Sequence, residues 1–94
     1  MFESMTAHAA NVLPTTQLEE AISIWLIDRI AEYTGSTPLS IDSTIPFADY
    51  GLGSAEAVIL SGDMERWLGR RLSPMLLWDY PTIDALAQHL AYER

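Results

Sequence analysis

The chain has 94 residues, 49% of them hydrophobic, and sets 13 acidic side chains against five basic ones, none a lysine, for a net charge of −8. That length fits one small domain with a modest core; the absence of cysteine excludes disulfides and thiolate metal sites, and the negative field opposes nucleic acid and anionic membrane while favouring basic protein surfaces. No apolar run reaches the roughly 20 residues needed to span a bilayer, and the first ten residues lack the basic start and apolar run of a secretory signal, so a cytoplasmic protein is expected.

Residues 1–15 read as a flexible tail, aperiodic and ending in Leu13-Pro14-Thr15. A first helix is expected from about Thr16, where Thr16-Gln17-Leu18-Glu19 has the form of a capping box. Leu18, Ile22, Trp25, Leu26, Ile30 and Tyr33 then recur at helical spacing, and Gly35 stops the run. Residues 36–53 form a long connection broken by Pro38, Pro46, Gly51 and Gly53, with Ile41, Ile45, Phe47 and Leu52 as apolar anchors. A loop of that length in a small domain is often functional. A second helix is expected from Ser54 to Leu68, ended by Gly69. Ser73-Pro74 starts a short third helix through Met75, Leu76, Leu77 and Trp78, and Pro81-Thr82 supplies a turn and an N-cap for a last helix with Ile83, Leu86, Ala87 and Leu90 on its apolar stripe. No stretch alternates as a strand would. The expected fold is all-α: a small antiparallel bundle of three main helices and one short one over residues 16–94, with a long loop between helices one and two.

Ser54 is the residue on which function turns. Where a glycine-rich turn becomes a helix, a serine hydroxyl lies at the positive end of the helix beside free backbone N–H groups, a place suited to a phosphate. Read locally, the serine is first of all an ordinary helix N-cap, since N-caps are common, without a capping box because Ala57 stands three residues on. A helical wheel of the second helix puts Ala57, Leu60, Ser61, Met64, Trp67 and Leu68 on the core side. Ala55, Val58, Ile59, Gly62 and Arg66 fall on the other side, flanked by Glu56 and Asp63, with Arg66 and Asp63 able to pair at i,i+3. An apolar patch with a charged rim beside Ser54 reads as a docking face, unless the long loop covers Ile59. Trp25 and Trp67 read as core, whereas Trp78, with Met75, Leu76 and Leu77, belongs either to the core or to the path of a bound chain. His8 and His89 have no partner at ligand spacing, so no metal is expected. A Ser54–His89 dyad has no third group in the pattern.

The segment Phe47-Ala48-Asp49-Tyr50-Gly51-Leu52-Gly53-Ser54 resembles the phosphopantetheine attachment site of acyl carrier proteins. Trp78-Asp79-Tyr80-Pro81-Thr82-Ile83-Asp84-Ala85-Leu86-Ala87 resembles the last two helices of the polyketide-synthase branch, and Trp67-Leu68-Gly69-Arg70-Arg71-Leu72-Ser73-Pro74 fits between them. The resemblance covers about residues 16–92. It departs at two positions: the family aspartate before the serine is Gly53, and the leucine after it is Ala55. In the family that aspartate is part of what the phosphopantetheinyl transferase recognises, so an altered choice of transferase is implied. Gly53 allows close backbone approach and removes a negative charge from beside a phosphate.

Carried over by position, Ser54 is the serine that receives 4'-phosphopantetheine from coenzyme A, with Gly53 and Leu52 beside it. The resemblance implies a monomeric, non-catalytic carrier that holds acyl groups as thioesters. Its implied partners are a phosphopantetheinyl transferase, an acyl-loading enzyme (a fatty acyl-AMP ligase or an acyltransferase) and a downstream ketosynthase or tailoring enzyme, met through Ala55, Glu56, Val58, Ile59, Asp63 and Arg66. The piece from Leu60 to Pro74 is similar to carriers served by fatty acyl-AMP ligases. Met1 and the short tail fit a free-standing or N-terminal carrier. Two alternatives remain: a peptidyl carrier of the same fold, and a helical adaptor without a prosthetic group, for which the missing aspartate is the best argument.

Overall fold

A computed structural model describes residues 13–92. Among these residues four α-helices, α1 (Thr15–Thr34), α2 (Ser54–Leu68), α3 (Leu76–Asp79) and α4 (Ile83–Tyr92), make a bundle, with two short 3-10 turns, Pro38–Ser40 and Phe47–Tyr50, in the long α1–α2 connection. The helices follow the hydrophobic periodicity. Leu18, Ile22, Leu26 and Ile30 recur every fourth residue on α1, and all are buried. Ala57, Leu60, Ser61, Met64 and Leu68 are the buried residues of α2, and Ile83, Leu86, Ala87, Leu90 and Ala91 those of α4. Trp25 and Trp67 pack at the edge of this core as a stacked pair, 5.2 Å between ring centroids, with the Arg29 guanidinium 4.8 Å above Trp25.

Helix ends are set by backbone chemistry. Gly35 and Gly69 close α1 and α2 in the left-handed conformation, at φ 71° and 72°. The start of α1 differs from expectation. The helix begins at Thr15, after Pro14, and no side chain caps it, so the Thr16–Glu19 capping box does not form. The Leu18 N–H instead donates to the Pro14 carbonyl at 2.8 Å, while Leu13 packs against the core. The helix therefore starts one residue early, and Leu13 belongs to the packed domain rather than the tail; residues 1–12, including His8, lie outside the described residues. The cap of α4 is as expected, with Thr82 Oγ1 accepting from the Ala85 N–H at 3.1 Å.

The long connection is tied down. Phe47 and Leu52 are buried, and Ile41 packs against the core. The Phe47 N–H donates to the Pro81 carbonyl at 2.8 Å, and the Asp84 N–H donates back to the Ser43 carbonyl at 3.1 Å. The Tyr50 hydroxyl grips the backbone of Asp42 twice, donating to its carbonyl and accepting from its N–H, each at 2.7 Å. These bonds fasten the segment before α2 onto the α3–α4 junction and fix the direction in which α2 starts.

Candidate functional site

The approach to Ser54 is built residue by residue. The 3-10 turn Phe47–Tyr50 ends at Gly51, whose φ of 86° only glycine adopts without strain. Leu52 then plugs into the core, and Gly53 and Ser54 return to the surface. Ser54 is the first helical residue of α2 and Gly53 is its N-cap, so Ser54 is not the N-cap that local reading allowed. Its side chain is exposed and caps nothing. The capping interaction lies one residue earlier than the sequence suggests: Glu56 Oε1 accepts the Gly53 N–H at 2.9 Å. The N–H groups of the first helical residues have no intrahelical partner and point toward the Ser54 end.

Gly53 does not set the turn. Its backbone, φ −94° and ψ −170°, is open to any residue, so the turn belongs to Gly51 alone. Nor does the glycine leave the serine free of neighbouring negative charge, because the Glu56 carboxylate occupies the Gly53 N–H. The N–H groups of Glu56 itself and of Gly53 hold that carboxyl below its usual range, and it is ionised at neutral pH. Tyr33, on the last turn of α1, completes the rim. Its hydroxyl reaches the Gly51 carbonyl at 3.5 Å, and desolvation, then the Glu56 charge, push its pKa up. Sequence reading placed Tyr33 in the core stripe; it is half exposed and serves the site through a contact 18 residues away in sequence.

The outward side of α2 is open, as the wheel indicates. Val58 is 52% and Ile59 64% exposed, so the loop does not cover Ile59. Ala55 is exposed beside them. Arg66 pairs with Asp63, and Arg29 of α1 approaches the same carboxylate at 3.9 Å, a second partner the sequence did not suggest. A groove of about 260 Å³ runs between α1 and α2, with Ile30, Leu52 and Leu60 buried beneath it and the exposed Tyr33 and Ile59 and the half-buried Glu56 among its walls. On α3, Leu76 and Leu77 are core, whereas Trp78 and the preceding Met75 are exposed. His89 stacks on Tyr80 at 3.9 Å between ring centroids. No helix among the described residues is long and apolar enough to cross a membrane.

Comparison with known proteins gives a consistent result. The family model described as "phosphopantetheine attachment site" matches residues 25–90. Over 67 residues the chain is 46% identical to a phenolphthiocerol/phthiocerol polyketide synthase from Mycobacterium tuberculosis (strain CDC 1551 / Oshkosh), covering 71% of this chain but only 4% of that much longer protein. Two solved structures superpose well. One is a free-standing peptidyl carrier protein from a secondary metabolic pathway of Acinetobacter baumannii, with TM-score 0.74, 40% identity, and 80% of this chain and 94% of that one covered. The other is an acyl carrier protein from Anabaena sp. PCC 7120 with a variant phosphopantetheinylation-site sequence, with TM-score 0.75, 43% identity, and 80% and 85% covered. The chain belongs to the phosphopantetheine attachment site family: it is a carrier protein of the acyl or peptidyl carrier type, a non-catalytic domain whose prosthetic group is 4'-phosphopantetheine.

Proposed function

We propose that Ser54 bears the phosphopantetheine and that the protein carries acyl groups as thioesters on the thiol of that arm, in polyketide or lipid biosynthesis. The observation that carries this reading is the exposed Ser54 side chain, engaged in no cap, at the first position of α2 after the Gly51 turn. In the loading step Ser54 Oγ attacks the phosphorus of coenzyme A that bears the pantetheine. The bond from that phosphorus to the adenosine bisphosphate breaks, and the hydroxyl proton passes to a base of the transferase. The protein then raises the effective concentration of a tethered acyl group for each enzyme it meets. The loading and processing enzymes meet it across Ala55, Glu56, Val58, Ile59, Asp63 and Arg66, an apolar centre with a charged rim. The loading enzyme proposed is a fatty acyl-AMP ligase or an acyltransferase.

Two comparisons support parts of this reading. The similarity to a polyketide synthase favours acyl over aminoacyl cargo. The similar Anabaena carrier with a variant site supports a carrier role despite the glycine before Ser54. The likeness to a peptidyl carrier favours the second reading, aminoacyl cargo, and loading assays with acyl-AMP and aminoacyl-AMP forming enzymes separate the two. The attachment itself is tested by incubating wild type and Ser54→Ala with coenzyme A and a broad-specificity transferase, followed by intact mass spectrometry. One added phosphopantetheine in wild type only is expected. No addition with any transferase, or addition to both proteins, removes the assignment.

A further inference from the structure

Five arginines are the only basic side chains apart from histidine in this acidic chain, and two of them meet on one carboxylate beside Ile59. Arg66 pairs with one oxygen of Asp63 from a turn further along α2, and Arg29 approaches the other oxygen from α1 at 3.9 Å. Arg29 is held in that place. Its guanidinium lies 4.8 Å from the Trp25 ring centroid, and Trp25 stacks on Trp67 at 5.2 Å. Exposed ion pairs add little to stability, and one arginine is enough to neutralise Asp63. The second gives the cluster a positive excess, and both guanidinium groups stay open to solvent, at 45% and 75% side-chain exposure for Arg29 and Arg66.

The nearby carboxylates do not erase that excess. Asp28 and Glu65 adjoin the two arginines in sequence, but successive residues of a helix do not face each other, and Glu65 Oε2 accepts the Leu72 N–H at 3.0 Å. Glu32 and Glu56 line the same groove as Arg29 and Asp63, on the side nearer Ser54. Tyr33 meets Gly51 while Arg29 meets Asp63, so α1 and α2 run antiparallel and the groove is ordered in charge. Carboxylates lie toward Ser54, the exposed Ile59 lies in the middle, and the guanidinium groups lie at the far end. At 1.5 Å per residue, Asp63 is about 10 Å along the axis from Glu56. A uniformly basic surface is drawn to a chain of net charge −8 but meets like charge at this end, whereas a surface with an acidic group there meets opposite charge.

Resting on the reading of this face as the one the loading enzyme meets, we propose that Arg29 and Arg66 are specificity-determining contacts for the acyl-loading enzyme, which presents an acidic side chain to them beside the apolar site that takes Ile59. Repulsion of wrong partners together with attraction of the right one is how an exposed face selects, and the loading enzyme is the partner whose choice fixes the cargo. The test takes the full-length protein with its arm attached and measures acyl loading by fatty acyl-AMP ligases and acyltransferases. Kinetics follow with the enzyme of highest kcat/KM on wild type. Arg66→Glu and Arg29→Glu are each expected to raise KM for the carrier roughly tenfold, with kcat and helical circular dichroism unchanged. Arg66→Lys, which keeps the charge, is expected to retain most of the wild-type affinity, and changing one surface carboxylate of the enzyme to lysine is expected to restore loading of Arg66→Glu. Asp63→Asn, which frees both guanidinium groups, is expected to lower KM, the opposite of what a purely structural ion pair requires. Wild-type KM in both glutamate variants, or losses that follow helix content, overturn the inference and leave Ser54 and the acyl reading in place. A wild-type protein that takes no acyl group from any of these enzymes removes the acyl reading, and this inference with it.

Discussion

Gly51 and Gly53 look alike in the sequence, two residues apart on either side of Leu52, and do different work. At Gly51 the backbone lies at φ 86° with open space around the missing Cβ. Substitution there meets no clash, only the left-handed backbone penalty of about 1–2 kcal/mol. At Gly53 the backbone is ordinary and the space is occupied by a carboxylate. Gly51→Ala is therefore expected to lose roughly 1–2 kcal/mol in urea unfolding, and Gly53→Ala to lose less, so that a larger loss at 53 would contradict this division. The distinction was not legible in the sequence, because both roles call for the same residue type. Ser54 was legible as a candidate, but not its position inside the helix rather than at its cap, which depended on Glu56 reaching back to Gly53.

The helix that presents Ser54 shows how far periodicity reaches. Helical spacing alone separated the buried Ala57, Leu60, Met64 and Leu68 from the open Val58 and Ile59, because a 3.6-residue repeat forces that division once one face packs. Ile59→Glu is expected to leave unfolding within about 0.5 kcal/mol of wild type, as for other surface substitutions, yet to slow acyl loading by the cognate enzyme. An unchanged loading rate would remove this face as the docking surface. Helix starts were harder to read. Thr16–Glu19 has the form of a capping box, yet α1 starts at Thr15 after Pro14 with Leu13 on the core. Leu13 is only partly buried there, so its contact is worth less than the roughly 1.5–3 kcal/mol of a fully buried side chain, of the same order as the roughly 1 kcal/mol of a local cap.

Across the whole molecule, α1 packs most extensively against α4, two helices far apart in the chain. Leu86 of α4 and Leu26 of α1 are both fully buried. Leu86→Ala is expected to cost about 2–5 kcal/mol, a large share of the roughly 5–15 kcal/mol that holds a domain folded, and a thermal or urea midpoint near that of wild type would contradict the packing. The sequence by itself determined the helices, the segment that must be irregular and the serine at its end, because repeat spacing, Gly, Pro and turn chemistry are local properties. Only the tertiary structure decided that Tyr33 reaches Gly51 and that the loop is fastened to the α3–α4 junction through Phe47–Pro81 and Ser43–Asp84. Those contacts join residues distant in the chain, and whether they meet depends on helix packing that no local pattern records.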